Sequence, residues 1–218
     1  MKKILLTAIL ALSLIVLAAC NGGNQAAENI YDHLETSVEL EEEFHEAQSE
    51  LVEIEQQEHE LYNEMIEVNM DELDEIEGTV NEALELLEER RQLMEQEMDS
   101  IDAAKEEFDQ VEQYVEDLDE EAQPAANEMV EKMDERYEAF VSLYDAYMQS
   151  LDYDQELYEM LLDEELESET LDEQVDLVNN SYDEITEAQE AFNQRTSEFN
   201  DMKRDFYDAV ELEVEFVE

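Results

Sequence analysis

The fold is decided by residues 44–68, FHEAQSELVEIEQQEHELYNEMIEV. Phe44, Ala47, Leu51, Ile54, Leu61, Met65 and Val68 recur at steps of three and four. That rhythm puts one apolar stripe on an α-helix, which must then be covered by other helices. Glu58 is the one charged residue in the series. Ile30 and Leu34 extend the stripe upstream, so the spacing predicts a helix over about residues 28–67.

The rhythm recurs three more times. A second helix is predicted to run to about Leu118, along Leu73, Ile76, Val80, Leu84, Leu87, Arg91, Met94, Met98, Ile101, Lys105, Phe108, Val111 and Val115. Its start is either Asn69, with Glu72 completing a capping box, or Thr79 with Glu82. Gly78 lies off the stripe and weakens the helix by about 1 kcal/mol. Pro124, the single proline, suits the first turn of a third helix, expected to reach about Glu165. Its stripe is Met129, Met133, Tyr137, Phe140, Tyr144, Tyr147, Leu151, Asp154, Tyr158 and Leu161. Thr170 with Glu173 marks the fourth, continuing through Leu171, Val178, Phe192, Phe199 and Phe206 to Val210, with Val214 to Glu218 expected to fray.

Short turns between such helices make consecutive ones antiparallel. The predicted class is all-α: an elongated antiparallel four-helix bundle or pair of coiled-coil hairpins. Each helix would be about 60 to 70 Å long. Folding back near residue 122 brings Arg91 level with about residue 153. Arg91 and Asp154, both polar in apolar stripes, are therefore predicted to form a structural ion pair that fixes the register.

The first twenty residues read differently. Lys2 and Lys3 precede an apolar stretch from Ile4 to Leu17, followed by Ala18 and Ala19. That order is an export signal. A membrane span needs roughly 20 apolar residues, more than this stretch supplies. Leu17-Ala18-Ala19-Cys20 resembles the bacterial lipobox, in which the peptide is cut between Ala19 and Cys20 and the thiol is acylated. Two acyl chains hold a protein stably to a bilayer. The expected organisation is thus a lipoprotein signal peptide over 1–19, a flexible tether over 20–27 and one acidic helical bundle domain over 28–218. Cys20 is the only cysteine, so disulfides and thiolate chemistry are excluded once it carries lipid.

All 67 Asp and Glu follow the signal, against eight Lys and Arg. High net charge usually means disorder, but here 43% of residues are hydrophobic and they are periodic. An acidic solvated surface on an ordered scaffold fits both facts. It repels nucleic acid, anionic lipid and teichoic acids, and attracts basic proteins and, weakly and diffusely, divalent cations. An exported protein facing salty or alkaline medium keeps itself soluble in the same way.

Catalytic patterns are missing. Glu42-x-x-His45 matches half of a di-iron motif, but His33, His45 and His59 all lie on the first helix, while that motif needs two helices. His45 and His59 would be about 21 Å apart along it and cannot share a metal; they read as surface residues. No calcium loop, nucleophile triad or phosphate loop occurs. The expectation is a non-enzyme with no cofactor and no specific metal. The aromatic series of the third helix reads mainly as core, with Tyr153, off the stripe, the candidate for an exposed contact.

Several segments together, in order, behind the lipobox, are family text. They are Val38-Glu39-Leu40-Glu41-Glu42-Glu43-Phe44, Glu60-Leu61-Tyr62, Glu82-Ala83-Leu84-Glu85-Leu86-Leu87-Glu88-Glu89-Arg90, Arg136-Tyr137-Glu138-Ala139-Phe140, Leu143-Tyr144-Asp145-Ala146-Tyr147 and Glu156-Leu157-Tyr158-Glu159-Met160-Leu161. The chain resembles the YkyA-type lipoproteins of low-GC Gram-positive bacteria, for which a cell-wall-binding role has been proposed. The resemblance implies a membrane-anchored helical protein on the extracytoplasmic face of the cell membrane, whose partner is peptidoglycan or another envelope protein. It carries no catalytic residues to transfer. The chain departs from it in having acids where many lysines are expected. A cation- or solute-binding lipoprotein is the alternative that composition suggests.

Overall fold

A computed structural model describes residues 22–68, 76–163 and 165–212. They are helical almost throughout, and no strand occurs among them. The helices are α1 (Gly22–Leu40), α2 (Glu42–Ile66), α3 (Glu77–Phe108), the short α4 (Glu112–Val115), α5 (Gln123–Met160) and α6 (Ser168–Ala209), with a 3-10 turn, Asp109–Val111, between α3 and α4. The expected helical bundle is observed.

The described residues divide into two compact units. Unit 1 gathers those of Met1–His45, Ser100–Tyr137 and Gln194–Glu218; unit 2 gathers those of Glu46–Asp99 and Glu138–Asn193. One continuous domain was expected; the stripes run on along each helix, so periodicity gave no sign of the division.

In unit 1, α1 packs beside the C-terminal part of α3 in antiparallel sense. Ser37 donates to the Ala104 carbonyl at 2.8 Å, while the Phe44 amide, further on, reaches back to Ser100 at 3.1 Å. Asp102 and Lys105 meet Tyr137 and Asp134 in the same reversed order. The core joins Ile30, Leu34, Phe108, Val111, Met129, Phe199 and Phe206. Unit 2 has its own core, with Leu51, Ile54, Val80, Leu87, Met94 and Leu151 at its centre. There α5 and α6 are antiparallel, since Ser150 meets Ser181 and Tyr153 meets Gln174.

Several local expectations are corrected. The first helix is two, broken at Glu41. The break satisfies its own backbone: Ser100 Oγ donates to the Leu40 carbonyl at 2.7 Å and accepts from the Phe44 amide. Helix structure begins at Gly22, where a tether over 20–27 was expected, because Ala26 and Ala27 are buried in the unit 1 core. Thr79 lies inside α3, which starts at Glu77; the Asn69–Glu72 box is outside the described residues. The third helix ends at Met160 rather than about Glu165, and α6 begins at Ser168, where the Thr170 and Leu171 amides close onto the Glu167 carbonyl. Pro124 does sit in the first turn of α5.

The seam of α3 is also shifted at alternate positions. From Ile76, just before the helix, the inward series is Val80, Ala83, Leu87, Arg90, Met94, Glu97, Ile101, Ala104 and Phe108, with Leu93 and Ser100 buried beside it. Leu84, Arg91, Met98 and Lys105, expected in that series, are only half-buried. A helix surrounded on more than one side buries a wider band than a two-stranded seam.

Candidate functional site

The seam positions that carry charge converge inside unit 2. Glu58, the polar interruption of the α2 stripe, is buried on the inner face of that helix. Arg90, one turn on from Leu87, projects from α3 with only 1% of its surface exposed. Asp154 does the same from α5. Arg90 Nη1 donates to Glu58 and stands 3.7 Å from Asp154 Oδ2, while Nη2 is 3.7 Å from Glu55 Oε1, beyond hydrogen-bond reach. Arg90 Nε donates to the Tyr147 hydroxyl at 2.9 Å, and its guanidinium carbon lies 5.0 Å from the Tyr147 ring centre.

Three tyrosines close this polar core. Tyr147 donates to Glu55 at 2.6 Å, Tyr158 to Glu58 at 2.8 Å and Tyr182, on α6, to Asp154 at 2.9 Å. Burial and the adjacent Glu58 raise the Tyr158 hydroxyl far above its ordinary value, which keeps it a donor. Burial pushes the Asp154 carboxyl up to about 6, against the pull of Arg90. An arginine is suited to this role because its five donors can serve several acceptors at once and it does not deprotonate.

The predicted pair of Arg91 with Asp154 is therefore corrected. Arg91 bonds Asp152 at 2.9 Å near the surface, and the buried partner of Asp154 is Arg90. Arg91 does stand level with the expected stretch of α5, opposite Asp152, but the rotation of α3 turns Arg90 inward instead of its neighbour. Tyr153, expected to be exposed, is half-buried, and its carbonyl accepts from Gln174 at 2.8 Å.

Unit 1 holds a second ion pair, between buried Arg136 and half-buried Glu41. Both Nη atoms of Arg136 donate to Glu41, at 2.8 and 2.7 Å, and Nε donates to Thr196 at 3.2 Å. Neither residue belongs to the predicted apolar stripes, and Arg136 replaces Tyr137 as the inward position of α5.

The histidines are not uniformly solvated. His33 is 2.7 Å from Glu107 and stacks on Tyr114 at 5.6 Å, His45 is half-buried, and only His59 is exposed. Among the described residues no three His, Cys, Asp or Glu are arranged to hold a metal ion.

The cations are largely spent within the fold. Of the eight Lys and Arg after residue 20, seven form ion pairs: Arg90, Arg91, Lys105, Lys132, Arg136, Arg195 and Arg204. The eighth, Lys203, is held below the ordinary lysine value by burial, while Glu35 and Glu41 pull it up. The carboxylate surplus is left to the surface. No helix among the described residues is long and apolar enough to cross a membrane. Cys20 and Ala19 lie outside the described residues.

Known proteins agree with this architecture. A conserved protein of unknown function from Staphylococcus aureus, solved by crystallography, has the same fold, with a TM-score of 0.71 over 87% of this chain and 97% of its own, at 14% identity. The "Uncharacterized lipoprotein YkyA" of Bacillus subtilis (strain 168) is 33% identical over 200 residues, which is 89% of this chain and 87% of the relative. Residues 25–209 match the family model YkyA, described as "Putative cell-wall binding lipoprotein". The match takes in the Glu41–Arg136 pair and the whole Arg90 cluster, and with it the chain belongs to the YkyA family of lipoproteins.

Proposed function

We propose that this chain is an acyl-anchored lipoprotein on the outer face of the cell membrane, lipidated at Cys20 after cleavage behind Ala19, that binds cell wall or another envelope protein without catalysing a reaction. Family membership over residues 25–209 carries this reading. The ion pairing gives it a chemical direction. With its cations engaged by its own carboxylates, the bundle presents excess negative charge, which favours amino groups of peptidoglycan peptides or a basic protein face and disfavours teichoic acid. The buried Arg90 and Arg136 clusters support the scaffold rather than touch the partner. Sedimentation with purified peptidoglycan, before and after teichoic acid is stripped, tests this. Retention that rises on stripping supports wall binding; loss from both preparations removes the wall as partner and leaves an envelope protein.

The acidic surplus, 67 carboxylates against eight cations, favours a second reading as a cation- or solute-binding lipoprotein. Equilibrium dialysis with calcium separates the two. Saturable binding of fixed stoichiometry supports the second reading, and a diffuse, salt-sensitive uptake supports the first.

A further inference from the structure

One carboxyl of unit 2 has no use in the cluster around Arg90. Glu97 occupies an inward position of α3, two turns beyond Arg90, with 3% of its surface exposed. Its Oε1 has no hydrogen-bond partner. The arginines of the same helix are committed elsewhere, Arg90 to Glu58 and Arg91 to Asp152. A buried charge without partner or donor is strongly disfavoured, so the neutral acid is the form that fits.

The groups around it reinforce this. From α2 the charged Glu55 acts on it. Tyr147 on α5 donates its hydroxyl to that same Glu55, and Tyr144 on α5 is raised above its ordinary value by burial, then by Glu95 and Asp145, against the pull of Arg91. α6 sends apolar Ile185 to this core. No cation is paired with Glu97 among the described residues. Burial, then Glu55, push its carboxyl up to about 8.

We propose that Glu97 is a proton-dependent lock on unit 2: neutral, it lets α3 close on α2, and ionised, it is repelled by Glu55 and opens that section of the core. Because Glu55 also holds Tyr147, which accepts from Arg90, opening at Glu97 loosens the Arg90 cluster in turn.

The sign follows from linkage. The closed state holds this proton up to about pH 8, the open state only to about pH 4.5. Opening therefore becomes easier as pH rises through that interval and levels off above about 8, by at most about tenfold per pH unit for one group. Between pH 6 and 8, amide exchange of the full chain, corrected for intrinsic rates, should show peptides within 46–62 and 80–99 opening up to about 100-fold more often. Glu97→Gln should flatten that rise. Glu97→Met, which leaves no buried amide unsatisfied, should flatten it too, so a destabilised Gln variant does not decide the matter alone. Glu55→Gln should bring the plateau to lower pH. A wild-type slope in both Glu97 variants, or a Glu55→Gln profile superimposable on wild type, overturns the proposal.

Discussion

Arg136 grips Glu41 through two hydrogen bonds of 2.8 and 2.7 Å, tying α5 to the residue at which the first helix breaks. The Ser100 hydroxyl serves the backbone on both sides of that break. Ser100 thus bridges the Leu40 carbonyl and the Phe44 amide, which a continuous helix would join directly, and Arg136 adds a side-chain clamp beside it. Lysine keeps the charge but cannot make a two-pronged contact. Arg136→Lys should therefore lower stability by about 1.5 to 3 kcal/mol, the range for a hydrogen bond to a charged group. Urea unfolding followed by circular dichroism measures it, and an unchanged midpoint would show the clamp to be ornamental.

Removing Arg90 should cost more. Arg90→Met strands Glu58 and Asp154 in a low-dielectric core, a change worth about 3–5 kcal/mol in comparable buried pairs. The double variant Arg90→Met with Glu58→Met should recover much of that loss, since an apolar pair leaves less buried charge behind. A double variant no more stable than the single one would contradict this account.

Asp154 gives a pH signature of its own. Its folded carboxyl lies at about 6 against an ordinary 3.8, so the native state binds the proton more tightly than the unfolded chain. That raised value means stability is gained as pH falls from about 6 toward 4 and lost on the way back. Asp154→Asn should remove on the order of 2–3 kcal/mol of this dependence. Unfolding midpoints of the two proteins at pH 4 and 6.5 provide the comparison, and parallel profiles would refute it.

Salt should stabilise the fold. With 67 acidic side chains against eight basic ones after residue 20, self-repulsion among surface carboxylates opposes compaction. Screening tightens to about 3 Å at 1 M ionic strength. The melting temperature should rise between low and molar NaCl, and a flat or falling trend would show that surface repulsion is negligible.

Cys20→Ala should release the protein from the membrane. In cells fed a labelled fatty acid, the wild-type chain should take up label and fractionate with membranes, and the variant should do neither. Label on the variant would place the lipid elsewhere.

Residues 44–65 show what sequence can reveal. Every apolar member of that stripe except Leu61 is fully buried in the structure, and its one charged member, Glu58, is buried as well. Charge in an apolar series thus coincides with burial at Glu58 and Asp154, though not at Arg91 or Lys105. Arg90 escaped notice because Arg91 adjoins it, and an α-helix drifts about 20° per heptad against a strict 3.5-residue repeat. At 83–84 and 97–98 the more apolar neighbour, Leu84 or Met98, was preferred, yet Ala83 and Glu97 face inward. The tyrosine hydroxyls were invisible for another reason. Their partners lie on other helices, up to 100 residues away in the chain, as with Tyr158 and Glu58.

The early start of α1 has a mechanical corollary. Only Asn21 separates Cys20 from Gly22, so a lipid on that thiol is leashed by about 7 Å of extended backbone at most. Gly23, in the next position, lies so close to Asp119 that an added Cβ would come within 2.9 Å of its carboxylate. With Cys20 acylated as proposed, so short a leash would bring the α4–α5 turn, with Asp117, Asp119, Glu120 and Glu121, close to the headgroups. Its carboxylates would repel anionic headgroups there, so the proposed anchor would favour neutral or cationic patches of the leaflet.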